Sequence, residues 1–397
     1  MTTGERLNRI IREEMENKEI SGANLLISRR GRVLFRQSYG MADIERDVPM
    51  REDSIFRLFS MTKLVTGLAA MILYERGVID PNEPVGKYLS TFRDMKFYDE
   101  NGTLRPVERP MQIRDLLSMT SGLVYPGTET PAERDMEKLF DEIYDAQEKG
   151  HPLPTVGFML RIGELPLAFT PGARWQYGTS ADVCGAVIER ASGMRFGEFL
   201  RKEIFAPLHM EDTGFYVPQE KMDRFTQAYE HRDATDKTPA SLQALTGRHL
   251  GMGDYDSPPA FESGGAGLVS TIGDMHRFAV MLLNEGTAAD GTRILSPRTA
   301  RLFRSNALTK EQRRSMNWDT LVGHGYGNFN RVLLDPGQAV MNAPAGEFGW
   351  DGWLGTYLSV DPEDGLIFLY FIQRADAGTT IPTRKLKAVA YTLRDHG

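Results

Sequence analysis

The sequence predicts an α/β fold: one antiparallel sheet built from N- and C-terminal segments, flanked by helices, with a mostly helical region inserted between them. Three observations carry this. β-rich runs occur near both ends of the 397-residue chain, in GANLLISRRGRVLFRQSYG (Gly22–Gly40) and GTYLSVDPEDGLIFLYFIQ (Gly355–Gln373). Each holds a hairpin signal, Arg30-Gly31 in the first and Asp361–Gly365 in the second. Helical patterns dominate everything between. The economical arrangement joins the two ends in one sheet under terminal helices. Residues 1–58 and 255–397 then form the sheet domain and 59–254 the helical region, with a cleft where they meet.

The elements follow in order. MTTGERLNRIIREEMENKE reads as a charged amphipathic helix, and the first hairpin comes next. FRLFSMTKLVTGLAAMILYERGVID (Phe56–Asp80) is apolar enough to be a core helix. GVIDPNEPVGKYL carries turn residues and a short amphipathic piece, and QIRDLLSMTSG predicts a helix ending at Gly122. From Leu123 to Phe169 the chain is polar and partly helical, notably in PAERDMEKLFDEIYDAQEKG. SADVCGAVIERASG is an amphipathic helix closed by Gly193, and GDMHRFAVMLLNEG is another. HGYGNFNR (His324–Arg331) can open a strand near the cleft, and the glycines and tryptophans of GEFGWDGWLGTYLSV lead into one. IPTRKLKAVAYTLRDHG predicts a helix over 381–397.

Composition narrows the function. With 41% hydrophobic and 25% charged residues, a large core forms and wholesale disorder is excluded. A net charge of −7 without a basic cluster argues against nucleic acid as a partner. The single cysteine, Cys184, rules out an intramolecular disulfide. No apolar run reaches membrane-spanning length, and the N-terminal stretch lacks the apolar core of a signal peptide, so a cytoplasmic protein without a membrane partner is expected. The seven histidines (151, 209, 231, 249, 276, 324, 396) show no His-Glu-x-x-His or similar spacing, so no metal is expected. There is no Gly-x-Ser-x-Gly elbow. GMGDYD and SGGAG read as turns rather than a nucleotide site. Neither the oligomeric state nor the natural substrate is written in the sequence.

Three stretches carry candidate chemistry. Ser60 and Lys63 stand three residues apart at the start of the apolar helix, so their side chains share a face. A helix N-terminus favours a developing alkoxide, and a desolvated lysine loses basicity and can act as a base near neutral pH. A serine cap beside a lysine snorkelling to solvent gives the same pattern without any chemistry. Tyr177, in PGARWQYGTSADVCGAVIE, lies just before a helix, where its hydroxyl could reach the pair or where its ring simply packs. Gly346–Val360 places a glycine- and tryptophan-rich turn at a strand, either as a bare turn or as the edge that offers an N–H to an oxyanion. Tyr125 can line the cleft or pack. His324 reads as structural.

Taken together these stretches resemble the serine β-lactamase-fold proteins, the group of class C β-lactamases, D-alanyl-D-alanine carboxypeptidases and, most of all, family VIII carboxylesterases. The carrying residues are FRLFSMTK with the S-x-x-K at Ser60–Lys63, the YGT of Tyr177–Thr179, and the WDG of Trp350–Gly352, with weaker echoes in LLSMTSGL and SGGAGLVSTIGDMHRFAVMLLN. The likeness spans nearly the whole chain, in the family's order. Two departures matter. Thr179 stands where penicillin-recognising relatives have asparagine, and Trp350-Asp351-Gly352 where they have Lys-Thr-Gly or His-x-Gly. The tryptophan and the W-x-Y-x-x-x-x-D-V-x-G pattern resemble the esterases.

The resemblance implies an acyl-enzyme hydrolase that needs no cofactor. Ser60 is the implied nucleophile, and Lys63 and Tyr177 together move its proton. The backbone N–H groups of Ser60 and Trp353 form the implied oxyanion hole, and Tyr125, Thr179, Trp350, Asp351 and Gly352 contact a small-molecule ester or amide. A carboxylesterase for short- to medium-chain esters is the first expectation. The alternatives are a β-lactamase or D-amino-acid peptidase, an acyltransferase to an alcohol or amine (as in the lovastatin-type enzymes, which share the Ser/Lys/Tyr core), and a non-catalytic ligand-binding relative.

Overall fold

The computed structural model describes residues 1–235, 238–246 and 249–393. Its main sheet has eight antiparallel strands: β1 (Gly22–Arg29), β2 (Arg32–Asp43), β3 (Val48–Pro49), β4 (His324–Gly327), β5 (Asn330–Leu333), β6 (Phe348–Asp351), β7 (Tyr357–Asp361) and β8 (Leu366–Phe371). The order across the sheet is β4-β5-β6-β7-β8-β1-β2-β3, so the two ends of the chain join where β1 pairs with β8.

The pairing of distant segments follows from the period-2 pattern of their side chains. Leu25 and Ile27 of β1 and Phe368 and Tyr370 of β8 point to one face, where Leu7 and Ile11 of α1 (Thr3–Glu16) and Leu386 and Ala390 of a C-terminal helix cover them. Leu26, Ile367, Leu369 and Phe371 point to the other, against Met275 and Phe278. Both faces are therefore buried, which is why β8 is apolar at every position.

Helices α2 (Thr62–Glu75), α3 (Ser180–Ser192), α4 (Ile272–Leu283) and α5 (Ile381–Ala390) are the others that matter here. α4 lies on the sheet, whereas α2 and α3 pack on each other in the helical region. From Thr62 to Leu73 every residue of α2 is buried, as expected of a helix apolar all round. α3 ends at Gly193 in the left-handed conformation, φ 71°, the usual glycine stop. The segment between the expected Leu123 and Phe169 holds the helices Pro131–Glu148 and Thr155–Ile162 and no strand of the main sheet. One apolar cluster runs from Leu369 and Phe278 through Leu64 and Leu68 to Val187, so the sheet and helical regions share a core across residue 58.

Several boundaries differ from expectation. The helix expected to end at Gly122 spans only Ile113–Leu117, because Met119 takes a positive φ of 56° and turns the chain. Trp350 and Asp351 lie within β6 rather than before a strand. The C-terminal helix stops at Ala390, and 394–397 lie outside the described residues. A short antiparallel pair, Ile55–Arg57 with Val269–Thr271, has no signal strong enough to be read from sequence.

No described helix is long and apolar enough to cross a membrane.

Candidate active site

Ser60 is not inside α2 but in the tight turn Phe59–Met61 that precedes it. The Ile55–Arg57 pair fixes the entry, and Leu58 N donates to the Leu268 carbonyl at 2.9 Å. Phe59 then adopts φ 45°, a left-handed conformation that costs an aromatic residue of order 1–3 kcal/mol. It is held there by packing, with its ring 5.2 Å from Trp353 and 5.5 Å from His249.

Lys63, in the first turn of α2, is fully buried at 0% exposure. Its Nζ lies 3.1 Å from Ser60 Oγ, 2.9 Å from the Tyr125 hydroxyl and 2.8 Å from the Gly265 carbonyl. Burial drives its pKa down to about 7, against the pull of the Asp182 and Asp351 carboxylates. A neutral amine has two N–H donors and one lone pair. The Gly265 carbonyl can only accept, so it takes one N–H, and the lone pair remains available for the Ser60 proton.

The Gly265 carbonyl is itself positioned. Asp182 of α3 accepts from Gly265 N at 3.0 Å and from Ser263 Oγ at 2.5 Å, and Thr66 Oγ1 donates to the Gly264 carbonyl at 2.6 Å. Close approach of this loop to α3 requires glycine. A Cβ on Gly264 would sit 2.4 Å from the Ala181 carbonyl oxygen, and one on Gly265 would sit 2.6 Å from the Asp182 carboxylate. SGGAG, expected to be a plain turn, is thus the support of Lys63. Burial raises the Asp182 pKa, while Lys63 and its two donors favour the carboxylate.

Tyr177 accepts from Trp350 Nε1 at 3.0 Å, and Ser60 with this donor favours its ionised form. Burial raises its pKa above the ordinary phenol value, so it stays protonated at neutral pH. Lys63 Nζ lies 4.7 Å from its ring centre. Trp350 is 2% exposed and packs on Tyr177, Trp318 and Tyr326. Its place is therefore behind Tyr177 and not along the cavity, as a substrate contact would be. Thr179 is likewise turned away, 1% exposed and directed at the Val124 carbonyl at 3.4 Å. The threonine is too short to reach past the turn that starts α3. Asp351 accepts the Thr379 hydroxyl, and burial raises its pKa.

Gly352 makes the join between the sheet and the Ser60 turn. A Cβ there would sit 2.2 Å from the Leu58 carbonyl oxygen, which also accepts from Thr356 Oγ1 at 2.9 Å. Trp353 follows directly in the chain, and its ring packs on Phe59 of the Ser60 turn. Among the described residues, neither the Ser60 nor the Trp353 N–H has a hydrogen-bond acceptor in the protein. The Trp353 indole donates to Asp376 at 2.7 Å and stacks on His249, centroids 4.2 Å apart and 7° from parallel.

A cavity of about 470 Å³ opens on Ser60, walled by Phe59, Phe140, Tyr144, Leu250 and Trp353 with Tyr125 and Tyr177 at its back. A separate groove of about 440 Å³ between Arg195, Phe205 and Tyr216 includes none of Ser60, Lys63 or Tyr177. Among the described residues no group of three or more His, Cys, Asp or Glu side chains could hold a metal ion.

Sequence reading brought Ser60, Lys63 and Tyr177 together, and the three do meet. It missed Tyr125 as a direct partner of Lys63, Asp182 and the Gly264-Gly265 support, and Trp350 as a donor to Tyr177. A buried aspartate two residues into a helix after the Tyr177 turn is the one available signal for the second of these.

Comparison with known proteins places this geometry. The family model described as Beta-lactamase matches residues 7–391. Protein Rv1367c of Mycobacterium tuberculosis is 34% identical over 375 residues, covering 91% of this chain and 88% of its own. Esterase EstB of Burkholderia gladioli is 29% identical over 399 residues, covering 95% and 92%. Among solved structures, EstCE1, described as a hydrolase with promiscuous acyltransferase activity, superposes with a TM-score of 0.80 at 25% identity, covering 98% of each chain.

Proposed function

Because this chain belongs to the beta-lactamase family, a serine hydrolase family with esterase and acyltransferase members, we propose that it is a carboxylesterase that cleaves short- to medium-chain esters through an acyl-enzyme on Ser60. The observation that carries this reading is Lys63, fully buried, with a pKa lowered to about 7 and its amine 3.1 Å from Ser60 Oγ.

The chemistry runs as follows. Lys63 takes the Ser60 proton as Oγ bonds to the ester carbonyl carbon. The oxyanion is held by the Ser60 and Trp353 N–H groups, fixed donors that act where charge develops. The C–O bond to the alcohol breaks, Tyr177 protonates the departing oxygen, and Tyr177 recovers its proton from the Lys63 ammonium. Water then gives a proton to the same pair, attacks the acyl carbon and releases the acid, and Ser60 regains its hydrogen. Trp350 Nε1 steadies the Tyr177 oxygen while its proton is away.

Esters are favoured over β-lactams because the WDG stretch supplies no cation to the cavity and Thr179 points into the protein. The apolar wall of Phe59, Phe140, Leu250 and Trp353 fits an alkyl or aromatic acyl group instead. Acyl transfer to an alcohol is the second reading, favoured by the activity in the description of EstCE1. One sulfhydryl, buried Cys184, accords with a cytoplasmic location.

The test is a parallel assay of p-nitrophenyl acetate or butyrate and a chromogenic cephalosporin, with and without an added alcohol. We expect kcat/KM for the ester to exceed that for the cephalosporin at least ~100-fold, about 2.7 kcal/mol in transition-state binding. A fluorophosphonate should label Ser60, and Ser60→Ala should abolish both label and turnover. Equal efficiency on the cephalosporin would overturn the esterase reading, and full activity in Ser60→Ala would sink the mechanism.

A further inference from the structure

Tyr125 and Tyr177 line two cavities, one on each side. The first is the apolar chamber on Ser60. The second, about 480 Å³, is lined by Arg174, Trp175, Gln176, Ser315, Asn317 and Trp318 in addition to the two tyrosines. Ser60 lines only the first.

The two differ in charge as well as polarity. Among the described residues, the carboxylate side chain on the first chamber is that of Glu137, which is exposed. Among the described residues, Arg174 is the only formally charged residue lining the second. Arg174 is exposed, its guanidinium rests over the Phe169 ring at 4.6 Å, and it has no carboxylate partner within ion-pair distance among the described residues. Gln176, Ser315 and Asn317 add neutral polar groups beside it, and the half-exposed Trp318 gives a flat apolar wall.

The reaction assigns the two spaces to the two halves of an ester. The acyl carbon bonds to Ser60, so the acyl tail lies in the chamber that Ser60 lines. The departing oxygen must come within reach of the Tyr177 hydroxyl, and Tyr177 also lines the Arg174 cleft. We propose that this cleft is the alcohol subsite, and that the preferred substrates are esters whose alcohol part is an aromatic or apolar group carrying an anion, a carboxylate or phosphate, that pairs with Arg174. The stacked arginine presents its planar fork to such an anion. Glu137 on the first chamber repels an anion on the acyl side, so charge fixes the direction in which a substrate enters. The inference rests on the acyl-enzyme reading of Ser60.

The experiment compares 4-acetoxybenzoate, anionic on the alcohol side, with 4-acetoxybenzamide, its neutral counterpart, and monophenyl glutarate, anionic on the acyl side, with phenyl butyrate. We expect kcat/KM to favour 4-acetoxybenzoate about five- to tenfold, as one partly solvated charge pair allows, and to disfavour monophenyl glutarate. The preference should lie in KM, and shrink as salt rises from about 0.02 to 0.5 M. Arg174→Gln should bring the benzoate-to-benzamide ratio to about one, and Arg174→Lys should keep part of it. Product inhibition gives a reading independent of turnover: 4-hydroxybenzoate should inhibit the unmodified enzyme more strongly than 4-hydroxybenzamide. A ratio at or below one in an enzyme that cleaves all four esters, a ratio unmoved by Arg174→Gln, or a preference for the acyl-side anion would overturn the subsite assignment while leaving the esterase reading intact. Absence of cleavage of any ester would instead overturn the reading on which it rests.

Discussion

Asp182 offers a test of Lys63 as the base whose sign runs against intuition. Replacing a buried carboxylate beside a reactive lysine by Asn ordinarily suggests lost activity. Here the carboxylate favours the ammonium form of Lys63, since its charge opposes the burial that lowers the amine to about 7, more strongly than that of Asp351. One residue, Gly265, links the two groups through hydrogen bonds of 2.8 Å at its carbonyl and 3.0 Å at its N–H. At a charge separation of roughly 6 Å and an effective dielectric of about 20–40, their attraction is about 1.4–2.8 kcal/mol, or about one to two pH units. Asp182→Asn keeps an oxygen acceptor for Ser263 Oγ and Gly265 N, so the loop can hold its place. The acid limb of the kcat/KM–pH profile reports the free-enzyme base. In the unmodified protein it should fall near pH 7, with activity rising toward alkaline pH. In Asp182→Asn it should move to lower pH by about one unit, so that the variant retains a larger fraction of its plateau rate at pH 6. A limb that stays in place or moves to higher pH would refute the assignment of that limb to Lys63.

Other expectations follow from the same geometry. Folded Lys63 titrates near 7 and the free side chain at 10.5, so between these values the unfolded chain binds more protons and stability rises with pH. The difference in unfolding free energy between the unmodified protein and Lys63→Met should therefore grow by about 2 kcal/mol from pH 7 to pH 9, measurable by urea titration at each pH. Trp350→Phe keeps a ring against Tyr177 but removes the donor to its oxygen; kcat should drop about 10- to 100-fold with a smaller change in KM, in line with a charge-assisted hydrogen bond of about 1.5–3 kcal/mol. Gly352→Ala places a methyl 2.2 Å from the Leu58 carbonyl oxygen, so the Trp353 turn must move away from Ser60. Its kcat/KM should fall at least ~100-fold, with a lowered Tm by calorimetry; unchanged kinetics would remove Trp353 from the oxyanion site.

What the sequence made legible divides along a physical line. The hairpin signals at Arg30-Gly31 and Asp361–Gly365, the apolar run of α2 and the Gly193 stop are local, and each element formed where it was expected. Ser60 and Lys63 are also a local pair, three residues apart. Tyr177 stood as a candidate from its place before a helix, with packing as the alternative, and the resemblance chose between them, since its approach depends on how α3 packs on α2. Some errors are local, such as the Met119 turn that ends a helix at Leu117 and the turn that holds Ser60 ahead of α2; those at the site are mostly of long range. Nothing near Trp350 in sequence reveals that its N–H is spent on Tyr177, 173 positions away. Thr179 was expected to face substrate from its motif position, but the depth of a side chain in a turn is set by tertiary packing. Tyr125 and Gly265 reach Lys63 from 62 and 202 positions away, and no periodicity encodes such meetings.

The close approach of Gly352 to Leu58 has a consequence for the order in which the protein comes into being. Ser60 leaves the ribosome early, whereas the turn that presents the Trp353 amide follows nearly 300 residues later; the Thr356–Leu58 hydrogen bond alone spans 298 positions. β1 must likewise wait for β8, its partner in the centre of the sheet. Pairings so far apart in the chain form slowly, after much of the loop-closure entropy has been lost. On the proposed mechanism, a nascent chain therefore carries Ser60 without the Trp353 amide until synthesis is almost finished, and a product terminated before Gly352 is expected to be unable to acylate as the whole chain does.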